Sequence, residues 1–119
     1  MSHNRQDLRE RTKLFALRII KLFGALPKSI EAQVIGKQLL RCGTSVGANF
    51  HEAHRARSDA EFIAKVGICL QELEETRYWL DLLEMAEIFP KEKLTNLHDE
   101  SSQLIAIFTT ISKQTKNRL

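Results

Sequence analysis

Apolar residues recur along most of this chain at alternating steps of three and four. Phe62, Val66, Cys69, Leu73, Thr76, Leu80 and Leu83 form the clearest series, the stripe of a helix that buries one face in a bundle. Leu8, Phe15, Ile19, Leu22 and Leu26 mark a helix before it, and Leu94, Leu97, Ser101, Leu104, Phe108 and Ile111 one after it. Ile35, Leu39, Cys42, Val46, Asn49, Ala53 and Ala56 keep the same spacing through Gly43, Thr44, Ser45 and Gly47, where local propensity alone would read a loop. A loop has no reason to hold helical phase on both sides of itself, so the spacing predicts an unbroken helix there.

Punctuation agrees with the phase. Pro27 disfavours helix at the residue before it, and Pro90 sits where a helix start tolerates a missing N–H. Ser58 stands three before Glu61 as a capping-box start, with Asp59 favourable to the helix dipole. The predicted helices are α1 at about 5–25, α2 at about 31–57, α3 at about 59–87 and α4 at about 91–115. Period-two alternation and hairpin dipeptides are absent, so the expected fold is all-α, an antiparallel up-down-up-down four-helix bundle in a single domain of residues 1–119.

Gly43 and Gly47 lie four apart on one face of α2, and the missing Cβ atoms would let a neighbouring backbone approach. Ser45, Asn49 and Glu52 share a second face of α2, and α3 carries Glu72, Glu75 and Thr76. Half-buried polar groups need partners, so these six are expected to form a structural polar network that sets helix register.

Length and charge narrow the function. A chain of 119 residues fits one core, and no apolar run is long enough for a membrane span or a secretory leader. Net charge is +3, unevenly spread. The first thirty residues hold Arg5, Arg9, Arg11, Lys13, Arg18, Lys21 and Lys28 against Asp7 and Glu10, whereas 58–90 is strongly acidic. Arg41, Arg55, Arg57, Lys113, Lys116 and Arg118 add further cations. Arg5, Arg9, Arg11, Lys13, Arg18, Lys21, Arg41, Arg55, Arg57, Lys113, Lys116 and Arg118 are the candidate nucleic-acid contacts.

Catalytic and metal chemistry find little to stand on. Cys42 and Cys69 belong to no CxxC pair and read as buried reduced thiols. His51, Glu52 and His54 fall one residue short of a zinc-protease motif, and no Glu-x-x-His pair of a di-iron bundle occurs. Gly43-Thr44-Ser45 lacks the lysine and the preceding strand of a phosphate loop. No catalytic residue, no metal ligand and no cofactor is expected. A carboxylate metal site on Glu52, Glu72 and Glu75 is the weaker alternative function.

The segment from Gln38 to Leu83 resembles a known family. QLLR, the G-T-S-V-G-A-N run, the following E-A, the helix start at Asp59 to Phe62 and E-T-R-Y-W-L at Glu75 to Leu80 are similar to the four-helix-bundle proteins encoded by intervening sequences in bacterial 23S ribosomal RNA genes. Cys42 stands where that family often has serine, and Phe50 where it often has a smaller aliphatic residue. The accessory variability protein of diversity-generating retroelements looks like a relative of the same fold. The resemblance implies a homopentameric, barrel-like ring and a cytoplasmic bacterial protein. For the retroelement relative it implies binding of nucleic acid and reverse transcriptase. The expected function is therefore a non-enzymatic, oligomeric accessory protein for RNA or DNA. The alternative is a structural module that engages an unknown protein partner. Tyr78, Trp79, Phe23, Ile63, Leu70 and Leu82 fall beside the main stripes, which suits subunit contacts.

Overall fold

The computed structural model describes residues 5–119. Four helices follow one another, α1 Arg5–Ala25, α2 Ile30–His54, α3 Asp59–Met85 and α4 Lys91–Lys116, with no strand among the described residues. Each connection is short, so each helix runs antiparallel to the one before it. Neighbours in sequence pack along their length, and α1 and α4 close the bundle across its thinnest seam.

α2 and α3 start where a serine satisfies a first-turn N–H, whereas α4 starts at Pro90 without a side-chain cap. Ser29 accepts from the Ala32 N–H at 3.3 Å, and Ser58 from the Glu61 N–H at 3.1 Å. They stop where the chain must reverse. α2 ends at His54, three residues before the predicted 57, because residues 55–58 are needed to turn the chain into the Ser58 cap. α3 ends at Met85 with Glu87 in the left-handed region at φ 56°. Ile88 N–H then bonds Leu83 C=O at 3.0 Å and Glu87 N–H bonds Glu84 C=O at 3.0 Å, a Schellman closure with glutamate in glycine's usual place.

The core follows the apolar stripes. All four stripe residues within α1, Leu26 just beyond its end, and all seven of α3 are buried. On α2 the buried face is Ala32, Gly36, Leu39, Cys42, Gly43, Val46, Phe50 and Ala53, and the predicted Ile35, Asn49 and Ala56 lie at its margins. Phe50 meets Phe108 across the bundle, ring centroids 5.2 Å apart.

The glycines on α2 face α1. A Cβ at Gly47 would stand 3.3 Å from the Thr12 carbonyl oxygen, and one at Gly36 2.7 Å from a Leu26 methyl. The small residues therefore admit α1, while the polar residues of α2 look toward α3. One helix uses two faces for two neighbours.

Candidate nucleic-acid interface

The start of α1, the end of α2, the start of α3 and the end of α4 meet at one end of an antiparallel bundle. Charged residues gather there because those termini carry them. α1 brings Arg5 and Arg9, and α2 brings His51, His54 and Arg55. Arg57 lies in the connection, and Lys113, Lys116 and Arg118 lie at the end of α4 and just beyond.

The groups of α1 and α2 interact directly. The Arg5 guanidinium stands 4.1 Å from the centroid of the Phe62 ring. Arg9 reaches within 3.3 Å of His51 Nδ1. His54 Nδ1 is buried and has no hydrogen-bond partner among the described residues. Burial pushes the His54 pKa below its ordinary value, and the charges of Arg9, Arg5, His51 and Arg55 push it the same way.

The remaining predicted cations divide by what they already hold. Arg11 donates to both Glu100 oxygens at 2.7 and 2.8 Å and to Gln103 Oε1 at 2.7 Å, which ties α1 to α4. Glu100 raises the Arg11 pKa by this bonding. Arg41 donates to Glu75 at 2.6 Å and Glu72 at 3.4 Å, which ties α2 to α3. Arg118 pairs with Asp59 at 3.2 Å. Lys13 is exposed on α1. Arg18 and Lys21 lie further along the same helix, beside Phe89 and Lys93.

The six residues expected to form one polar network are dispersed among local and interhelical bonds. Ser45 Oγ donates to Arg41 C=O at 2.7 Å and Asn49 Nδ2 to Ser45 C=O at 2.9 Å, both within α2. A hydroxyl or amide in a helix finds the carbonyl four residues back without any neighbour's help. The α2–α3 cross-links are instead ionic. Lys65 donates to Glu52 at 2.9 Å, and Arg41 bridges Glu72 and Glu75. Thr76 Oγ1 donates to Glu72 C=O at 2.8 Å and lies 3.3 Å from Cys42 Sγ, and Cys69 Sγ donates to Val46 C=O at 3.5 Å, both buried polar contacts between the two helices. Glu52, Glu72 and Glu75 thus each face a cation of the protein. Among the described residues no three His, Cys, Asp or Glu side chains gather as metal ligands.

Both thiols are buried and unpaired by disulfide. Burial raises the Cys42 pKa and pushes that of Cys69 up to about 12, so both stay neutral near pH 7 and neither is poised as a nucleophile. Sequence reasoning missed the Arg5–Phe62, Lys65–Glu52 and Arg11–Glu100 partnerships. His51 and His54, short of a zinc-protease motif, sit beside Arg55 and belong to the cationic cluster.

No helix among the described residues is long and apolar enough to cross a membrane. No curated protein matches the chain significantly. A crystal structure of a protein of unknown function from the S23 ribosomal protein family of Bacteroides thetaiotaomicron superposes with a TM-score of 0.86 at 37% identity, covering 92% of this chain and 97% of that one. A family profile described as 23S rRNA-intervening sequence protein matches residues 5–110, the whole bundle but for the last turns of α4. With four helices in place and that match spanning them, the chain belongs to the 23S rRNA-intervening sequence protein family.

Proposed function

We propose that this protein is a non-enzymatic accessory protein that assembles into a homopentameric ring and holds RNA or DNA on the cationic end of each bundle. One observation carries the reading: Arg5, Arg9, His51, His54 and Arg55 gather at one end of the bundle, with Arg9 within 3.3 Å of His51 Nδ1 and Arg5 4.1 Å from the Phe62 ring centroid. Like charges gathered in this way repel, and a polyanion relieves the repulsion while releasing its own counterions. Arg57, Lys113 and Lys116 extend the surface around the same end. A ring multiplies such sites, which turns a modest net charge of +3 into avidity for one long polyanion. The reading carries a cytoplasmic setting with it, in keeping with two free thiols.

Self-assembly is supported by what α1 leaves uncovered. Leu14, Leu17 and Ile20 point away from the core and are 59%, 57% and 48% exposed. Steps of three place them on one outward strip beside the exposed Lys13. α3 offers Tyr78, 57% exposed, among the exposed Glu74, Glu75 and Asp81. An apolar strip beside a cation and an aromatic edged by carboxylates are complementary, and a head-to-tail contact of that kind closes into a ring.

Fluorescence anisotropy with a labelled RNA at low salt tests the reading. The wild type binds, and a variant with Arg5, Arg55 and Arg57 changed to Gln binds at least tenfold more weakly with its circular dichroism unchanged. Equal affinity of the two sinks it. The apolar strip also favours a second reading, a module that offers Leu14, Leu17 and Ile20 to a foreign protein. A monomeric mass in light scattering would select that one.

A further inference from the structure

A second charged surface lies away from the cationic end, on the thin seam between α1 and α4. Arg18 and Lys21 project from α1, Lys93 and Asn96 from α4, and Phe89 from the connection that enters α4, around a groove of about 280 Å³. Leu22 and Leu97 floor it. No carboxylate lines it, and none of the three cations makes an ion pair among the described residues. Ion pairs lie elsewhere: Glu52–Lys65 and Arg41–Glu75 between α2 and α3, His98–Asp81 between α3 and α4, and Arg11–Glu100 further along the same α1–α4 seam. The groove is where cations collect without anions.

Phe89 is held there by the backbone. The Schellman closure at Glu87 turns the chain so that the Ile88 and Phe89 N–H groups both reach Leu83 C=O, at 3.0 and 3.4 Å. A non-glycine residue at φ 56° is uncommon and is tolerated only where its surroundings fix it. The ring stays half-buried, with Lys93 Nζ 5.8 Å from its centroid. The site thus combines an apolar floor, a fixed aromatic ring, an amide that can both donate and accept, and three unpaired cations.

We infer that this groove takes one unpaired nucleotide of a single strand, with its base against Phe89, its edge toward Asn96 and its phosphates toward Arg18, Lys21 and Lys93. The inference rests on the nucleic-acid reading above and adds the class of ligand, single-stranded rather than duplex. A base stacked in a duplex presents only its edges, so it offers Phe89 no face. A base in a single strand offers its face to any aromatic, without regard to sequence. The groove is just under the usual range of small-ligand sites, roughly 300–1,000 Å³, which suits one base and its phosphates. Along α1 the twelve steps from Arg9 to Lys21 span about 18 Å, so one strand can touch both the cationic end and the groove.

Anisotropy titrations with a short labelled single strand and with its duplex test this at low and moderate salt. The wild type binds the single strand more tightly. Phe89→Leu weakens the single strand about tenfold and leaves the duplex unchanged. Phe89→Tyr keeps the single-strand affinity, which separates loss of the ring from loss of packing. Lys21→Gln and Lys93→Gln, both at exposed positions, each lower the salt slope for the single strand by about 0.7. If Phe89→Leu, Lys21→Gln and Lys93→Gln all stay within twofold of wild type while the Arg5, Arg55, Arg57 variant loses affinity, the groove is overturned and the cationic end stands. Equal affinity of the wild type for strand and duplex also overturns the groove. No binding of either probe by the wild type overturns both.

Discussion

Ile19 fills the space that a side chain at Gly43 would need. A Cβ built there would lie 2.8 Å from Ile19 Cγ1 and 3.0 Å from Cγ2. Both atoms sit on a branched β-carbon, the stiff part of the side chain, so they cannot swing aside. The α1–α2 approach is set by this contact and by Gly47 against the Thr12 carbonyl.

Gly43→Ala should therefore destabilise the bundle by about 1–2 kcal/mol, overpacking exceeding the gain in helix propensity. Gly67→Ala should do the reverse. A Cβ there meets nothing within 4 Å, so only the propensity gain of about 0.5–1 kcal/mol remains. Urea melts of the two variants should shift in opposite directions. A shift in the same direction would contradict the packing described.

The two interhelical arginines should differ in weight. Arg11 is 28% exposed and forks onto a Glu100 that is 16% exposed, whereas Arg41 is 52% exposed. Arg11→Met should cost about 1–2 kcal/mol, because it strands a largely buried carboxylate on the thinnest seam. Arg41→Met should cost less than about 1 kcal/mol, as solvent-screened pairs do. Chemical denaturation measures both, and a larger loss at Arg41 would reverse the assignment.

What could be read from the sequence is what periodicity controls. The stripe from Phe62 to Leu83 places α3, and the same spacing through Gly43 and Gly47 places α2 against the pull of local propensity. Direction of bonding was not legible. Ser45 and Asn49 occupy the face toward α3, yet each bonds a carbonyl of its own helix, a choice made by local geometry rather than by which face a residue occupies. Arg11 and Glu100 meet across helices that are neighbours only in space, so no spacing rule pairs them. The turn at Glu87 was hidden because a glutamate stands where a glycine would have signalled it.

Binding should strengthen as pH falls. His54 is harder to protonate in the folded chain than in the unfolded one, whose ordinary value is 6.5. Below that value the unfolded chain takes up the proton first, so His54 withdraws stability from the free protein as pH drops. Phosphates lying on Arg5, Arg9 and Arg55 reverse the local field and favour protonated His54. RNA affinity should rise several-fold from about pH 7.5 to about pH 5.5, and His54→Gln should flatten that rise. Superimposable pH profiles of the two proteins would remove His54 from the interface.

Assembly should depend on the outward strip of α1. Leu17→Glu places a charge at its centre and should reduce the light-scattering mass to that of one chain, without loss of helix content. An unchanged multimer would move the subunit contact elsewhere.

The most direct measurement of the central claim is the affinity of the wild-type protein for RNA across a salt series. The account predicts measurable binding at low salt and a straight fall of log affinity with log salt, with a slope reporting several phosphates neutralised. Absence of binding at low salt, or an affinity that salt does not change, would contradict it.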